Sequence, residues 1–568
     1  MEYENVASAP VGTDAKGGGW TGHLWAHLLL IFLLAITLRL LFLDDSPWED
    51  EFLHILAGKS WLQDGSLSLI QGGPEYTRVT LYTYLTAGVM GLLGESLAIA
   101  RLPSVLFGGI WVAAIFFWTW RAVGPLAAWI AGAWFALDAN AIIHSQFVRF
   151  YTLHGLAFFV AAVCVYFSWT QRGERTRSIL LGLGGAGSLG LAWYLQPITA
   201  IGAMALGTWV ILVASPLILE WARSVTRARR FAGLVLLATL GLLAAWVGRD
   251  VWSGAWDQFR SAPTWAQEQA RNTRLYFDSF VYRYPTFWSL APVAVIVALV
   301  RKPRAALFAV ILFTVPFLLH SLAAFKAQRY LLYALPFFFI LWAIVLDGFL
   351  PWLAQQLRLL STEAWKGLTA SRTPARVPGK WFGWTAMIPI ILFVAYLNQG
   401  AYISFRTVFP QDSGRPYTQA NWHEVGPTLK AMAAEVDLVV ATSVPKAIYY
   451  LDGFDLALGR NHVEEGPDRP REFGRERLTG FPAISTVESL KEVQRCYSSG
   501  MVILDWRHGD NPFIIRPEVL EYMGRMMERL EFEESEKITL FRWTHTVRSD
   551  SMDCVNVDLQ PISPGDEW

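Results

Sequence analysis

The sequence predicts a polytopic all-α membrane protein that ends in a polar α/β domain. Three observations predict it. Of the 568 residues, 54% are hydrophobic and only 17% charged. The apolar residues gather in runs close to the roughly 20 residues that a helix needs to cross a bilayer. Past residue 400 those runs shorten to strand length and alternate with helical patterns. Inside lipid a segment must satisfy its own backbone, so the long runs read as helices.

Eleven spans follow from the runs: 24–43, 99–120, 125–145, 152–170, 178–195, 197–219, 231–247, 286–300, 304–322, 330–349 and 382–400. Their connectors set the orientation. "QRGERTR" (171–177), "RSVTRARR" (223–230), "RKPRA" (301–305) and the segment 350–381 are basic, and all four fall on one side. Lys and Arg collect on the cytoplasmic side. The N-terminus is therefore expected in the cytoplasm, with residues 1–20 disordered ahead of a transmembrane domain over 21–400. The first run is too long for a cleavable signal and lacks a cleavage site.

Alternation then puts 44–98, 144–151, 248–285, 320–329 and the tail 401–568 outside. In the loop 44–98, "EDEFLHILAGKSWLQDG" has apolar residues at near-helical spacing, which suits an interfacial helix. "TLYTYLTAGVMGLLG" (80–94) is apolar but short, so it reads as interfacial or re-entrant. If it spanned, every basic connector would land outside. In the tail, "DLVVATS" (437–443), "MVILDW" (501–506) and "KITLFRW" (537–543) read as strands between helices, hence an α/β domain with a largely parallel sheet. Cys496 and Cys554 could pair there in an oxidising compartment. With 47 basic and 47 acidic residues, no charge excess points to nucleic acid.

Three polar clusters share the outer face. Glu49, Asp50 and Glu51 stand beside His54; adjacent like charges and interfacial burial raise carboxyl pKa values, which suits a general base near neutral pH. The alternative is an exposed acidic loop. "HSQFVRFYTLHG" (144–155) brings His144, Gln146, Arg149, Tyr151 and His154. "HSLAAFKAQRYLLYALP" (320–336) brings His320, Lys326, Arg329 and Tyr330. Outer-face cations run against the usual bias. A bound phosphate would account for them, through Arg as a fork and Lys as a point charge; snorkelling at a span edge is the other reading. A polyprenyl phosphate leaves as a stable anion. One carboxylate for the acceptor proton and cations for the phosphate then suffice, whereas a glycosidase needs a second carboxyl group.

The ordered motifs resemble GT-C fold glycosyltransferases of the protein O-mannosyltransferase and aminoarabinose transferase type. They are Asp50-Glu51 in "WEDEFLH", "ARLPSVLFGG" (100–109), "SQFVRFY", "KAQRYLLYALP" (326–336) and an outer α/β tail. The resemblance implies a membrane enzyme that uses a polyprenyl-phosphate sugar, with Asp50 as base and Glu51 as its neighbour. One place departs from the pattern. Many relatives carry an aspartate about two residues after the arginine of the outer turn, and oligosaccharyltransferases of this fold bind a divalent metal there. Here that place is Tyr151, which puts a two-carboxylate metal site in doubt; a metal-independent enzyme with no cofactor is expected, with a divalent cation as the alternative.

The expected activity is transfer to a lipid, glycan or protein acceptor on the periplasmic face of the inner membrane, with inversion. Asp50 takes the acceptor proton, Arg149, Lys326 and Arg329 hold the donor phosphate, and His54, Tyr151 and His320 orient sugar or phosphate. Two other classes stay open: a polyprenyl-lipid transporter or flippase, and a non-catalytic assembly subunit with a binding tail. A transporter usually buries its charges near the midplane, whereas these cluster at one edge.

Overall fold

The computed structural model describes residues 19–170, 175–226, 239, 249–262, 270–368, 382–410, 420–460, 463, 473–505, 509, 511–512, 514–532 and 535–544. The expected span at 231–247, the N-terminal residues 1–18, Cys554 and much of three basic connectors lie outside them, apart from residue 239. Cys496 is disulfide-bonded and Cys164 is free.

The chain is a helical membrane protein. Among the described residues seven helices are long and apolar enough to cross a bilayer, or up to nine if two bent pairs each count as one span. The polar end of the bundle is built by α1 (Gly19–Leu40), α2 (Glu49–Gln63), α3 (Thr80–Leu93), α4 (Leu97–Ala122), α5 (Pro125–Leu137), α6 (Ala139–Ser145) and α7 (Tyr151–Thr170). At 14 residues α3 is too short to cross. The expected eighth span (286–300) is two short helices, Pro285–Ser289 and Ala291–Arg301, the longer of 11 residues.

The expected span 125–145 is broken. α5 and α6 meet at 59°. Asp138 stops the first helix and caps the second, accepting the Ala141 N–H at 3.1 Å, and the Tyr284 hydroxyl donates to the same carboxylate. A carboxylate that accepts a backbone N–H favours a new helix start over continuation. Arg39 ties the corner to α1: its Nε donates to Ser145 Oγ (3.0 Å) and its Nη1 to the Ala136 carbonyl (3.2 Å). The break brings 144–150 round as a tight turn ahead of α7. Gly155 lets α7 close against α4, since a Cβ there would fall 2.0 Å from the Trp111 ring.

The C-terminal α/β domain holds one seven-stranded sheet. Its strands are β1 (Val439–Ala441), β2 (Leu456–Leu458), β3 (Phe473–Arg475), β4 (Pro482–Ile484), β5 (Ser499–Asp505), β6 (Glu528–Phe532) and β7 (Ser535–Thr544), in the order β3-β4-β2-β1-β5-β7-β6. β4, β2, β1 and β5 run parallel, while β3, β7 and β6 pair antiparallel at the edges. The domain rests on α2. Phe52 packs 4.9 Å from the Tyr449 ring, Lys59 sits over the same ring, and the Ser46 hydroxyl donates to Asn421. α2 is therefore packed between the α/β domain and α3, with Phe52, Ile55, Leu56 and Ala57 buried, rather than simply floating at an interface.

Candidate active site

The first turn of α2 separates the three carboxylates. Consecutive helical residues do not face one another, so the expected mutual repulsion of Glu49, Asp50 and Glu51 is not how the site is built. Glu51 turns inward and is wholly buried. Its Oε2 accepts from Arg101 Nε and from the Val148 N–H, each at 2.9 Å. Its Oε1 accepts from Arg101 Nη2 at 2.8 Å and from the Trp48 N–H at 2.9 Å. Arg101 in turn donates to the carbonyls of Leu43 and Asp45. Glu51 is thus a clamp that fixes the start of α2 to the turn 146–149, and its lone pairs are committed.

Asp50 faces the other way. Its side chain is 47% exposed, with Oδ2 3.9 Å from Arg149 Nη2, while its backbone carbonyl accepts from Arg149 Nη1 at 3.1 Å. Arg149 is buried and aimed by three supports. Ser104 Oγ donates to its carbonyl (2.9 Å), the Arg149 N–H donates to Phe147, and its guanidinium lies over the rings of Phe150 and Tyr151. Burial works against the Arg149 charge, but the oxygens of Tyr151, Asp50 and Tyr76 outweigh it, so the group stays above its ordinary pKa. Arg329 opens a 3₁₀ turn (Gln328–Ala334) and covers the opposite end of the constellation, over the rings of Tyr151 and Tyr330. Asp50 and Arg149 both act on it electrostatically.

The structure therefore brings together Asp50, Arg149, Tyr151 and Arg329, from three separate stretches of chain. His54 lies one turn below Asp50, buried, with Nδ1 bonded to Thr83 Oγ1 at 2.9 Å. Burial first, then Arg149 and Arg78, push its pKa well down, so it is neutral near pH 7. Two expected residues are placed otherwise. Lys326 is buried and gives its Nζ to the Ala270 carbonyl at 2.8 Å. His320 is buried in the helix Pro303–Leu322, where Nε2 meets the Tyr333 hydroxyl at 3.1 Å. Lys326, expected to hold the donor phosphate, thus has a protein partner, and so does His320 Nε2, expected to orient sugar or phosphate, while His320 Nδ1 is buried without one.

Sequence reasoning missed Arg101, Arg78 and Tyr76. Arg78 stood in plain view as a cation on the face where cations are disfavoured; it reaches over the Phe150 ring. Arg101 lay inside "ARLPSVLFGG", and a charge in an apolar helix start asks for a buried partner. Tyr76 gave no signal. The site also carries unspent polarity. Arg149 Nε, Arg329 Nε, His54 Nε2, Tyr76 OH and His144 Nδ1 are buried without a hydrogen-bond partner. Unmet buried polar atoms are costly, and several in one place mark where a ligand belongs. Among the described residues no group of three or more His, Cys, Asp or Glu side chains is arranged to hold a metal ion.

Known structures of the same architecture exist. ArnT from Cupriavidus metallidurans, apo, matches with a TM-score of 0.54 at 14% identity, covering 92% of this chain and 98% of that one. The same protein bound to undecaprenyl phosphate matches at 0.52 and 13% identity, with the same coverage. The archaeal oligosaccharyltransferase AglB from Archaeoglobus fulgidus, in complex with an inhibitory peptide and a dolichol-phosphate, matches at 0.55 and 12% identity over 90% of this chain and 73% of that one. The chain has the GT-C fold. At these identities the likeness concerns architecture: about nine tenths of the chain follows one path through bundle and α/β domain. No protein-family model and no curated protein matches the sequence.

Proposed function

We propose that the protein is a membrane glycosyltransferase that moves a sugar from a polyprenyl-phosphate donor to a lipid, glycan or protein acceptor. The observation that carries this reading is the half-exposed Asp50 set against Arg149 and Arg329, both with unmet guanidinium N–H groups, in a fold shared with a protein solved on undecaprenyl phosphate. Asp50 accepts the acceptor's hydroxyl proton as that oxygen bonds to the anomeric carbon from the face opposite the phosphate. The carbon–oxygen bond to phosphate breaks, its electron pair goes to the phosphate, and the sugar inverts. The donor phosphodiester carries one negative charge and the released monoester approaches two. Arg149 and Arg329 stabilise the second as it develops, which is where cations lower a barrier. Tyr151, between the two guanidinium groups, keeps them apart and aimed.

The basic connectors support an orientation with the site and the α/β domain on the periplasmic face of the inner membrane. The test is transfer of radiolabelled sugar from synthetic polyprenyl-phosphate donors by purified protein, with wild type beside Asp50→Asn, each with and without EDTA. Retained wild-type transfer in EDTA with loss in Asp50→Asn supports a metal-free base. Loss in EDTA restores a metal to the mechanism. Lipid binding without transfer from any donor would favour a transporter or binding protein.

A further inference from the structure

The sugar end of the site can be read from charge and from the polar atoms left unpaired; this rests on the function proposed above. Arg78 and Arg149 flank the Phe150 ring, at 5.8 and 5.2 Å from its centroid. Arg78, Arg329 and Asp50 all act on the Tyr330 phenol, and Arg149 lies 3.9 Å from Asp50 and acts on Arg329, so the three arginines and Asp50 form one cluster. Glu51 adds no free charge, because Arg101 neutralises it. Three guanidinium charges less one carboxylate leave two positive charges. The donor phosphodiester brings one negative charge. One positive charge is therefore left uncompensated while the donor is bound.

Beside this cluster stand two buried groups. The His54 and Tyr76 rings are 5.4 Å apart. His54 Nε2 and Tyr76 OH lack partners, and both residues are more than nine-tenths buried. Tyr82 and Phe150 close the ring around His54. A neutral imidazole nitrogen and a phenol can each exchange a hydrogen bond with a hydroxyl. We propose that the transferred sugar is a polyhydroxylated ring without an ammonium group, that its hydroxyls bond to His54 Nε2 and Tyr76 OH, and that the net positive cluster rejects cationic amino sugars.

The mechanism of rejection is electrostatic. An ammonium about 6 Å from one uncompensated guanidinium, at an effective dielectric of about 20, loses on the order of 100-fold in binding. The experiment uses the full-length protein in lipid nanodiscs with two polyprenyl-phosphate donors: a neutral hexose and an amino-deoxypentose. The hexose donor is expected to exceed the amino donor by roughly 100-fold in kcat/KM. Tyr76→Phe should lower kcat/KM for the hexose donor about tenfold, the loss of one hydrogen bond. It should leave unchanged the rate with a deoxy-hexose donor lacking the bonded hydroxyl. Its Tm should not fall, because it deletes a buried hydroxyl that has no protein partner. Preference for the amino donor overturns the inference alone. So does a Tyr76→Phe effect of equal size on parent and deoxy donors. Turnover of none of the donors overturns the function on which it rests, and the inference with it.

Discussion

Replacing Glu51 by Gln tests the clamp that sets the catalytic geometry. The carboxylate accepts four hydrogen bonds, two on each oxygen, and every donor is a backbone N–H or the Arg101 guanidinium. Gln keeps the shape but turns one oxygen into an NH2 group. Whichever way the amide is set, that NH2 meets two donors, so two bonds are lost and Arg101 is left buried without its counter-charge. Breaking one side of a buried ion pair costs about 3–5 kcal/mol. Unfolding of detergent-solubilised protein should show that loss, and Arg101→Met should show a comparable one. The double variant should lose clearly less than the two together, with a coupling of roughly 2–3 kcal/mol. Transfer should fall too, because Val148 and Trp48 come free and the Asp50–Arg149 register slackens. Single losses below about 1 kcal/mol, or strict additivity, would refute the clamp, since surface pairs give values of that size.

Three more outcomes are expected. Arg149→Lys keeps a charge but not the fork that spans the Asp50 carbonyl and a phosphate, so KM for the donor should rise roughly 10–100-fold with little change in Tm; unaltered donor KM would remove Arg149 from the phosphate site. Gly155→Ala drives a methyl group into Trp111 and should cost about 1–3 kcal/mol by overpacking, measured as a lowered unfolding midpoint; a neutral result would mean that α7 does not sit so close to α4. His54 is held neutral in the folded protein while an unfolded histidine takes up a proton near pH 6.5. Protons therefore bind preferentially to the unfolded chain below that pH, and stability is lost as pH falls. His54→Gln should flatten that loss by up to about 1.4 kcal/mol per pH unit; parallel pH–stability curves for wild type and variant would contradict a neutral buried His54.

The candidate site was legible by kind more than by role. Asp50, Arg149, Tyr151 and Arg329 were picked from the chain and do converge. Asp50 came from the acidic run and Tyr151 from the turn that carries Arg149. For Arg149 and Arg329 the signal was positive charge on the outer face of a membrane protein, which needs no tertiary knowledge. Lys326 carried the same signal, yet its Nζ goes to the Ala270 carbonyl; a backbone acceptor 56 residues away leaves no mark in composition. The break at Asp138 was likewise hidden. The run 125–145 is apolar but for Asp138, Asn140, His144 and Ser145, and only the cap to Ala141 and the Tyr284 hydroxyl tell a corner from a span.

By itself the sequence determined the membrane bundle and the α/β tail. That problem is nearly one-dimensional: a bilayer reads the length and polarity of each segment, and a segment in lipid must close its own hydrogen bonds whatever its neighbours do. Tertiary structure alone decided which carboxylate is chemically available. Asp50 and Glu51 are adjacent letters of one sign, indistinguishable to a rule based on composition. About 100° of helix rotation separates them. That rotation hands Glu51 to Arg101, 50 residues on, and leaves Asp50 facing Arg149. The choice depends on where a distant guanidinium is held, and only the packed bundle holds it.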